Sequence, residues 1–392
     1  LFVQKAGLHR KFRTRRKDAI MQRPLGVAVA IVGCIASSLF ASDTKTFGPD
    51  PATHQAMVAK AIQFLASQQA EDGSISAQAG VGPTALVALS LLRNGRAVDD
   101  PQVAKSLKYL EGFVQPDGAI GQKDSLYRNY ETSLAIACFV EANREGRYTK
   151  LIKNAEKFLK ATQWTEGMGQ EPSSPSYGGA GYGKHKRPDL SNTQFLMDAL
   201  KAVGAGGDDE AVKKALIFVS RCQNLESDHN TLEFPAKNPD GGFYYTCAAG
   251  GSSQAGNTPN GGLRSYGSMT YAGLKSMLYA DVKKNDPRVQ AAIKWIRQHY
   301  DLSNNPGLGK EGLFYYYHTF AKALDALGVN TFEDAKGVPH DWRRELADTL
   351  AKCQKENGSW VNAADRWMEG DPNIVTGYAL LALSYCRPQT TK

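Results

Sequence analysis

The chain has 392 residues, 42% of them hydrophobic and 22% charged, which is ample for a large buried core. Its formal charge of +8 suggests nucleic acid, yet eight basic residues fall within the first 41 positions against Asp18 alone. The remainder is close to neutral, which excludes a basic face for phosphate backbones; no nucleic-acid partner is expected.

In chain order, the first feature is the apolar run from Leu25 to Phe40, preceded by Arg23 and followed by Ala41, Ser42 and Asp43. That is the layout of a secretory signal, and the run is short for a membrane span. Residues 1–42 are therefore read as an N-terminal extension and signal, with Met21 a candidate start. Residues 43–392 are read as one exported domain, periplasmic or associated with the cell envelope. Ile31-Val32-Gly33-Cys34 resembles a bacterial lipobox, so a lipid on Cys34 and peripheral membrane contact stay open. Export permits disulfides. Cys222 and Cys247 are placed to pair across one long loop, whereas Cys138, Cys353 and Cys386 read as thiols within helices.

Six related segments follow. The first carries Lys60-Ala61, Phe64-Leu65, Gln69 and Asp72-Gly73; the next carry Tyr109-Leu110 with Gln115 and Gly118, then Phe158-Leu159 with Gln163. The fourth has Phe218-Val219 and Gln223, the fifth Trp295-Ile296 with Tyr300 where Gln is expected, and the sixth Leu350, Gln354, Gly358 and Trp360. Each has the apolar spacing of an amphipathic helix. A second helix, apolar nearly all round, follows each one and begins near Thr84, Thr132, Thr193, Thr270, Thr319 or Thr376. A helix with one wet face sits outside and an all-round apolar one must be enclosed. The expectation is an all-α protein of six helical hairpins in two concentric rings, with the inner helices starting at a common rim. Long loops at residues 167–188 and 224–263 enter that rim as binding elements or lids.

The pattern of Lys-Ala, an aromatic-aliphatic pair, Gln and Gly-x-Trp resembles the QW motif of squalene and oxidosqualene cyclases. Over residues 54–386 the chain is similar to the terpenoid cyclase and protein prenyltransferase superfamily, which implies an α/α toroid (an α6-α6 barrel). A class II cyclase uses Asp-x-Asp-Asp-Thr-Ala, its middle Asp donating the proton. The matching stretch is Asp189-Leu190-Ser191-Asn192-Thr193-Gln194, with Ser191 in the donor's place. Asp189 is then either a surrogate acid or an N-terminal helix cap. A prenyltransferase holds zinc with Asp, Cys and His. Here His318-Thr319 matches, but Gly267-Ser268-Met269-Thr270 lacks the other two ligands, so no metal and no cofactor are expected. The Gly-Cys-Gly-Glu-Gln thioester of complement-like toroids is absent from the sequence.

Asp189 and His318 are the candidate catalytic residues. Tyr266, Tyr271, Tyr315, Tyr316, Tyr317 and Tyr378, with Arg264, are the candidate substrate-binding residues, because aromatic faces at the inner-helix starts suit cations, polyenes or sugars. Further polar candidates near the rim are His185, Arg187 and Asp240. Asp371-Pro372 reads as a helix start, and Glu369 with Asp365 reads as surface charge or as an acid pair. Three functions remain open. One is a cyclase-like or prenyltransferase-like protein acting on or binding an isoprenoid or triterpenoid; another is a non-catalytic exported toroid for a lipid or protein partner. The last is a polysaccharide lyase or hydrolase.

Overall fold

The computed structural model describes residues 45–183 and 187–391. The expected signal, the Met21 start, the Cys34 lipobox and His185 lie outside them.

Six helical pairs follow one another: α1 (Pro51–Gln68) with α2 (Gly82–Arg93), α3 (Pro101–Glu111) with α4 (Arg128–Ala142), and α5 (Thr149–Ala161) with α6 (Leu190–Ala202). Next come α7 (Glu210–Arg221), the short α8 (Glu233–Lys237) inside the long insertion, and α9 (Gly267–Tyr279), which pairs with α7. The last pairs are α10 (Pro287–Gln298) with α11 (Leu313–Leu327) and α12 (Trp342–Cys353) with α13 (Pro372–Tyr385). The second member of each pair packs against the next, and α13 returns to α2, so the inner helices close a ring. The fold is therefore the α/α toroid expected from the repeats. Strands are marginal: β1 (Lys45–Phe47) lies antiparallel to β4 (Gln389–Thr391), and β2 (Phe332–Glu333) to β3 (Pro339–His340). No helix among the described residues is long and apolar enough to cross a membrane.

Local chemistry starts the outer helices cleanly. Asp50, Asp100, Asp209, Asp286 and Asp341 cap α1, α3, α7, α10 and α12 through side-chain bonds to backbone N–H groups. Proline follows at the first turn of α1, α3 and α10, where its missing N–H costs nothing.

The repeated Gln, Gly and Thr are one device. At the end of an outer helix the Gln side-chain amide donates both to the next turn's carbonyl and to the first turn of the neighbouring outer helix. Gln69 reaches Gly73 O and Gln102 O, Gln163 reaches Gly178 O and Ala211 O, and Gln223 reaches Gly241 O and Arg288 O. Gln354 bonds Gly358 O and, 297 residues back, Met57 O at 2.9 Å, closing the ring. The glycine of that turn lies flat against the neighbour. At Gly178 (φ +84°) a Cβ would stand 1.8 Å from Lys214 O, and Gly73, Gly118 and Gly358 make the equivalent approach. Two residues later a backbone N–H turns inward to the inner threonine: Ile75 to Thr84, Ile120 to Thr132, Ala180 to Thr193, Phe243 to Thr270 and Trp360 to Thr376, all at 2.9–3.1 Å.

The fifth repeat differs. Thr319 bonds Tyr316 O within its own helix, and the tether to the outer turn is made by the Tyr317 hydroxyl on Leu302 O at 2.7 Å. Tyr317, not Thr319, holds the threonine's place there. Tyr300 replaces the glutamine and donates to Glu345 on α12.

Gln163→Ala strands two carbonyls between helices and should lower unfolding free energy by about 2–3 kcal/mol in urea titrations. Gln115 bonds only Phe113 O and Gly121 O within its own turn, so Gln115→Ala should lose about 1 kcal/mol. Equal losses would mean that the bond between neighbouring outer helices adds nothing beyond the turn itself.

Candidate functional site

The inner helices start at one rim, and a cavity of about 630 Å³ opens there. Helix phase decides which side chains face it. Tyr130, Ser191 and Ser268 lie two residues before the inner threonine of their repeats, and Phe195 and Tyr378 two residues after; all five line the cavity. In α11, where Tyr317 takes the threonine's place, the same offset selects Tyr315.

These side chains form a closed aromatic belt across four helices. Tyr130 meets Phe195 edge-on at 5.1 Å between ring centroids, Phe195 meets Tyr315 at 6.1 Å, and Tyr315 meets Tyr378 at 5.9 Å. The Tyr378 and Tyr130 hydroxyls, 3.4 Å apart, complete it. Tyr182 from the first long loop and Tyr245 from the second extend the wall, and Tyr266 adds a third ring just before α9. The mouth is mixed: Leu126, Tyr127, Trp367 and Met368 line the cavity while remaining exposed, and so do the amides Gln78 and Gln122. Trp367 (φ +58°) and Met368 (φ +67°) hold left-handed backbone, unusual for such side chains. Arg366 fixes this turn, stacking on Trp367 and pairing with Glu311 at 2.6 Å.

Below the belt the ring centre is charged. Gln194 links the Tyr315 hydroxyl, at 3.2 Å, to Lys275. Lys275 and Lys322 both pair with Asp198, all three buried. Burial drives the Lys275 ammonium down to about 7 against the pull of Asp198. Burial also works against the Asp198 carboxylate, but the two lysines outweigh it and bring that group to about 2.

Of the residues expected from sequence, Tyr266, Tyr315 and Tyr378 line the cavity. Tyr271 and Tyr316 do not: they stack on one another and on Phe320 in the interior. Tyr317 points to the outer turn as described. Consecutive residues on a helix point about 100° apart, so a run of three tyrosines presents one to the axis. Arg264 is exposed and bonds Asn257 O within its own loop, away from the wall. His318 lies under Tyr378, one residue past the tethering position as Gln194 is, so it faces the charged floor. Burial and then Lys322 push its imidazole well below the usual 6.5, and Nδ1 meets no partner among the described residues. Asp189 caps α6 rather than facing the cavity: it accepts the Asn192 backbone N–H at 2.8 Å and the Asn192 side-chain amide at 2.8–3.0 Å. Burial raises its carboxyl to about 6 against those bonds. Arg187 stacks on Tyr245 and Asp240 bonds Ser265, while Asp371 caps α13.

Two carboxyls do reach the wall. Glu369 is buried, not surface charge, and caps α11 by accepting the N–H groups of Phe314 and Tyr315 and the Asn362 amide. Glu131, on the first turn of α4, belongs to no motif that the sequence singles out. Its Oε1 takes one long bond from Val81 N at 3.3 Å, and its Oε2 has no hydrogen-bond partner among the described residues. Burial raises its carboxyl above the usual 4.5, opposed by Ser125 and the Val81 amide. A Cβ at Gly80 or Gly121 would stand 2.3 or 2.4 Å from its oxygens, so those glycines make its berth. A signal existed: of the residues preceding the six sequence-assigned threonines (Pro83, Glu131, Asn192, Met269, His318, Val375) only Glu131 is acidic. Among the described residues no group of three His, Cys, Asp or Glu side chains stands close enough to hold a metal ion.

No family model matches the chain, and no curated protein matches it. Among solved structures it is similar to apo MstE, a type II terpene cyclase from Scytonema, with TM-score 0.51 and 13% identity over 86% of this chain and 98% of that one. A protein from Actinoplanes gives TM-score 0.49 and 15% identity over 85% and 99%. A point-substituted MstE from Scytonema, in complex with geranylgeranyl dihydroxybenzoate as substrate, gives 0.39 and 13% over 86% and 98%. The fold is terpene cyclase-like.

Asp189 sets a pH signature. An acid whose folded value stands near 6 against the usual 3.8 is ionised first in the unfolded chain. The wild type therefore loses stability as pH rises from about 4 to 6, by about 3 kcal/mol. Asparagine also caps helices but does not titrate. The unfolding free energy of Asp189→Asn relative to wild type should therefore rise by up to about 3 kcal/mol between pH 4 and pH 7. A flat difference in urea titrations at the two pH values would show that this carboxyl is not raised.

Proposed function

We propose that this protein binds an isoprenoid or triterpenoid hydrophobic molecule in the rim cavity and works beyond the cytoplasmic membrane. The observation that carries the binding reading is the closed aromatic belt around a 630 Å³ space. Cavities of that size suit small organic ligands. Similarity of fold to a type II terpene cyclase supports the ligand class. The apolar run at residues 25–40 supports export. A cavity rather than a flat rim weighs against a purely protein-binding scaffold. The full hydrogen bonding of Glu369 weighs against a pair of working carboxylates of the glycosidase kind.

Glu131 favours turnover over storage. A carboxyl whose ionisation burial disfavours, with one oxygen lacking a hydrogen-bond partner among the described residues, is placed to deliver a proton to an alkene or epoxide held against the belt. The cation so formed meets ring faces that each stabilise positive charge by about 0.5–2 kcal/mol. Asp189, committed to capping α6, has no such access.

Binding is read by titrating a C20 prenyl alcohol and squalene against tryptophan emission, since Trp367 stands at the mouth. Saturable quenching that Trp367→Phe removes and Tyr315→Trp, by filling the cavity, abolishes is the expected result. No saturable binding of either probe, by emission or by mass spectrometry of retained lipid, overturns the ligand class. Glu131→Gln should leave binding within about threefold and reduce any cyclised product by at least ~100-fold. Undiminished conversion removes Glu131 as the acid.

A further inference from the structure

The long insertion is tied to the end of α7 at several points. Tyr244 N donates to Cys222 O at 3.1 Å, and the Tyr244 hydroxyl bonds Arg221 O at 2.6 Å. Gln223 and Phe243 form an antiparallel bridge. Thr246 then bonds Pro188 O at 2.8 Å, linking the insertion to the loop before α6. Within this frame the sulfurs of Cys222 and Cys247 face each other at 3.8 Å, both buried. Among the described residues this is the one pair of sulfurs in contact; Cys138, Cys353 and Cys386 stand apart.

We propose that Cys222 and Cys247 form a structural disulfide that staples the insertion to the outer ring and fixes the segment carrying Tyr245 on the cavity wall. The inference does not depend on which ligand the cavity takes. A bonded pair of sulfurs lies near 2.05 Å, so closure asks for roughly 2 Å of approach, within the reach of side-chain rotation between backbones already tied together. Burial holds the Cys222 thiol well above its usual range, so little thiolate is present once the protein has folded. The bond is therefore laid down while α7 and the insertion come together, and the same burial then shields it. The exchange balances with a glutathione disulfide as oxidant. One cysteine thiolate attacks it and releases a glutathione thiol; the second cysteine displaces the other glutathione. The chain gives up two electrons and two thiol protons, and two glutathione thiols result.

The test begins with the full chain, reduced and unfolded, then refolded in a buffer of reduced and oxidised glutathione. Remaining thiols are alkylated in denaturant, and peptides are mapped without reduction. The expected map links the Cys222 peptide to the Cys247 peptide, with Cys138, Cys353 and Cys386 alkylated. The oxidised protein should melt about 4 °C above the reduced one, as expected for a closed loop of this length in a domain of this size. Cys222→Ser and Cys247→Ala should lose the link and melt alike with and without reductant. Folded wild type left with glutathione disulfide in mild urea provides the same map without refolding. Both thiols alkylated in both treatments, or linkage to other cysteines, overturns the proposal.

Discussion

The structure depends on a single constraint: the turn that joins an outer helix to its inner partner cannot satisfy its own backbone. Its carbonyl is taken by a glutamine that also holds the neighbouring outer helix, and its N–H two residues on is taken by an inner threonine. In the first, third, fourth and sixth repeats the turn thereby joins three helices, and the glycine within it allows the neighbour to lie against bare backbone. Stranding a buried polar group costs about 1–3 kcal/mol, so the repeats gain most when adjacent repeats are present. The bond from Gln354 to Met57 makes the first and last repeats neighbours and leaves no unpaired end.

That constraint also positions the site. Because the tether, threonine in five repeats and Tyr317 in the fifth, fixes where each inner helix starts, all of the inner helices begin at one rim, and side chains two residues from the tether line the cavity. Along the ring axis the space lies at the rim, since Asp198 with Lys275 and Lys322 occupies the axis below. Such a buried cluster does not stabilise cheaply, but removing one member leaves an uncompensated charge. The cluster joins α6, α9 and α11, and Gln194 links it to the Tyr315 hydroxyl of the belt above.

The repeats were legible in sequence because their signals are local. Gln, Gly and Thr recur at short spacing, and apolar periodicity distinguishes the two rings. The site was only half legible, for reasons of phase and distance. The run Tyr315-Tyr316-Tyr317 was conspicuous as aromatics at a helix start, but with Tyr317 tethered to the outer turn only Tyr315 faces the cavity. Asp189 was conspicuous because it matches a motif, yet it spends both oxygens on Asn192. Glu131 matched no motif, and its surroundings come from Val81 and from Gly80 and Gly121 in other parts of the chain, a conjunction that spacing does not reveal. The threonine register alone marked it.

Glu131 and Glu369 show how one residue type divides into two roles. Both are buried on the same wall, and burial raises both carboxyls. Glu369 stands at the N-terminus of α11, where unpaired N–H groups and the helix dipole favour a carboxylate, and three donors saturate it. Moving its charge would unravel the start of the helix that supplies Tyr315. Glu131 lies within the first turn of α4, whose tether runs from Thr132 to Ile120; it takes one long bond from Val81 N, Ser125 also favours its charged form, and two glycines hold its carboxyl in a close berth. Glu369 is thus saturated in holding the start of α11, whereas Glu131 takes a single long bond from Val81, the residue before α2, and keeps its second oxygen without a hydrogen-bond partner among the described residues.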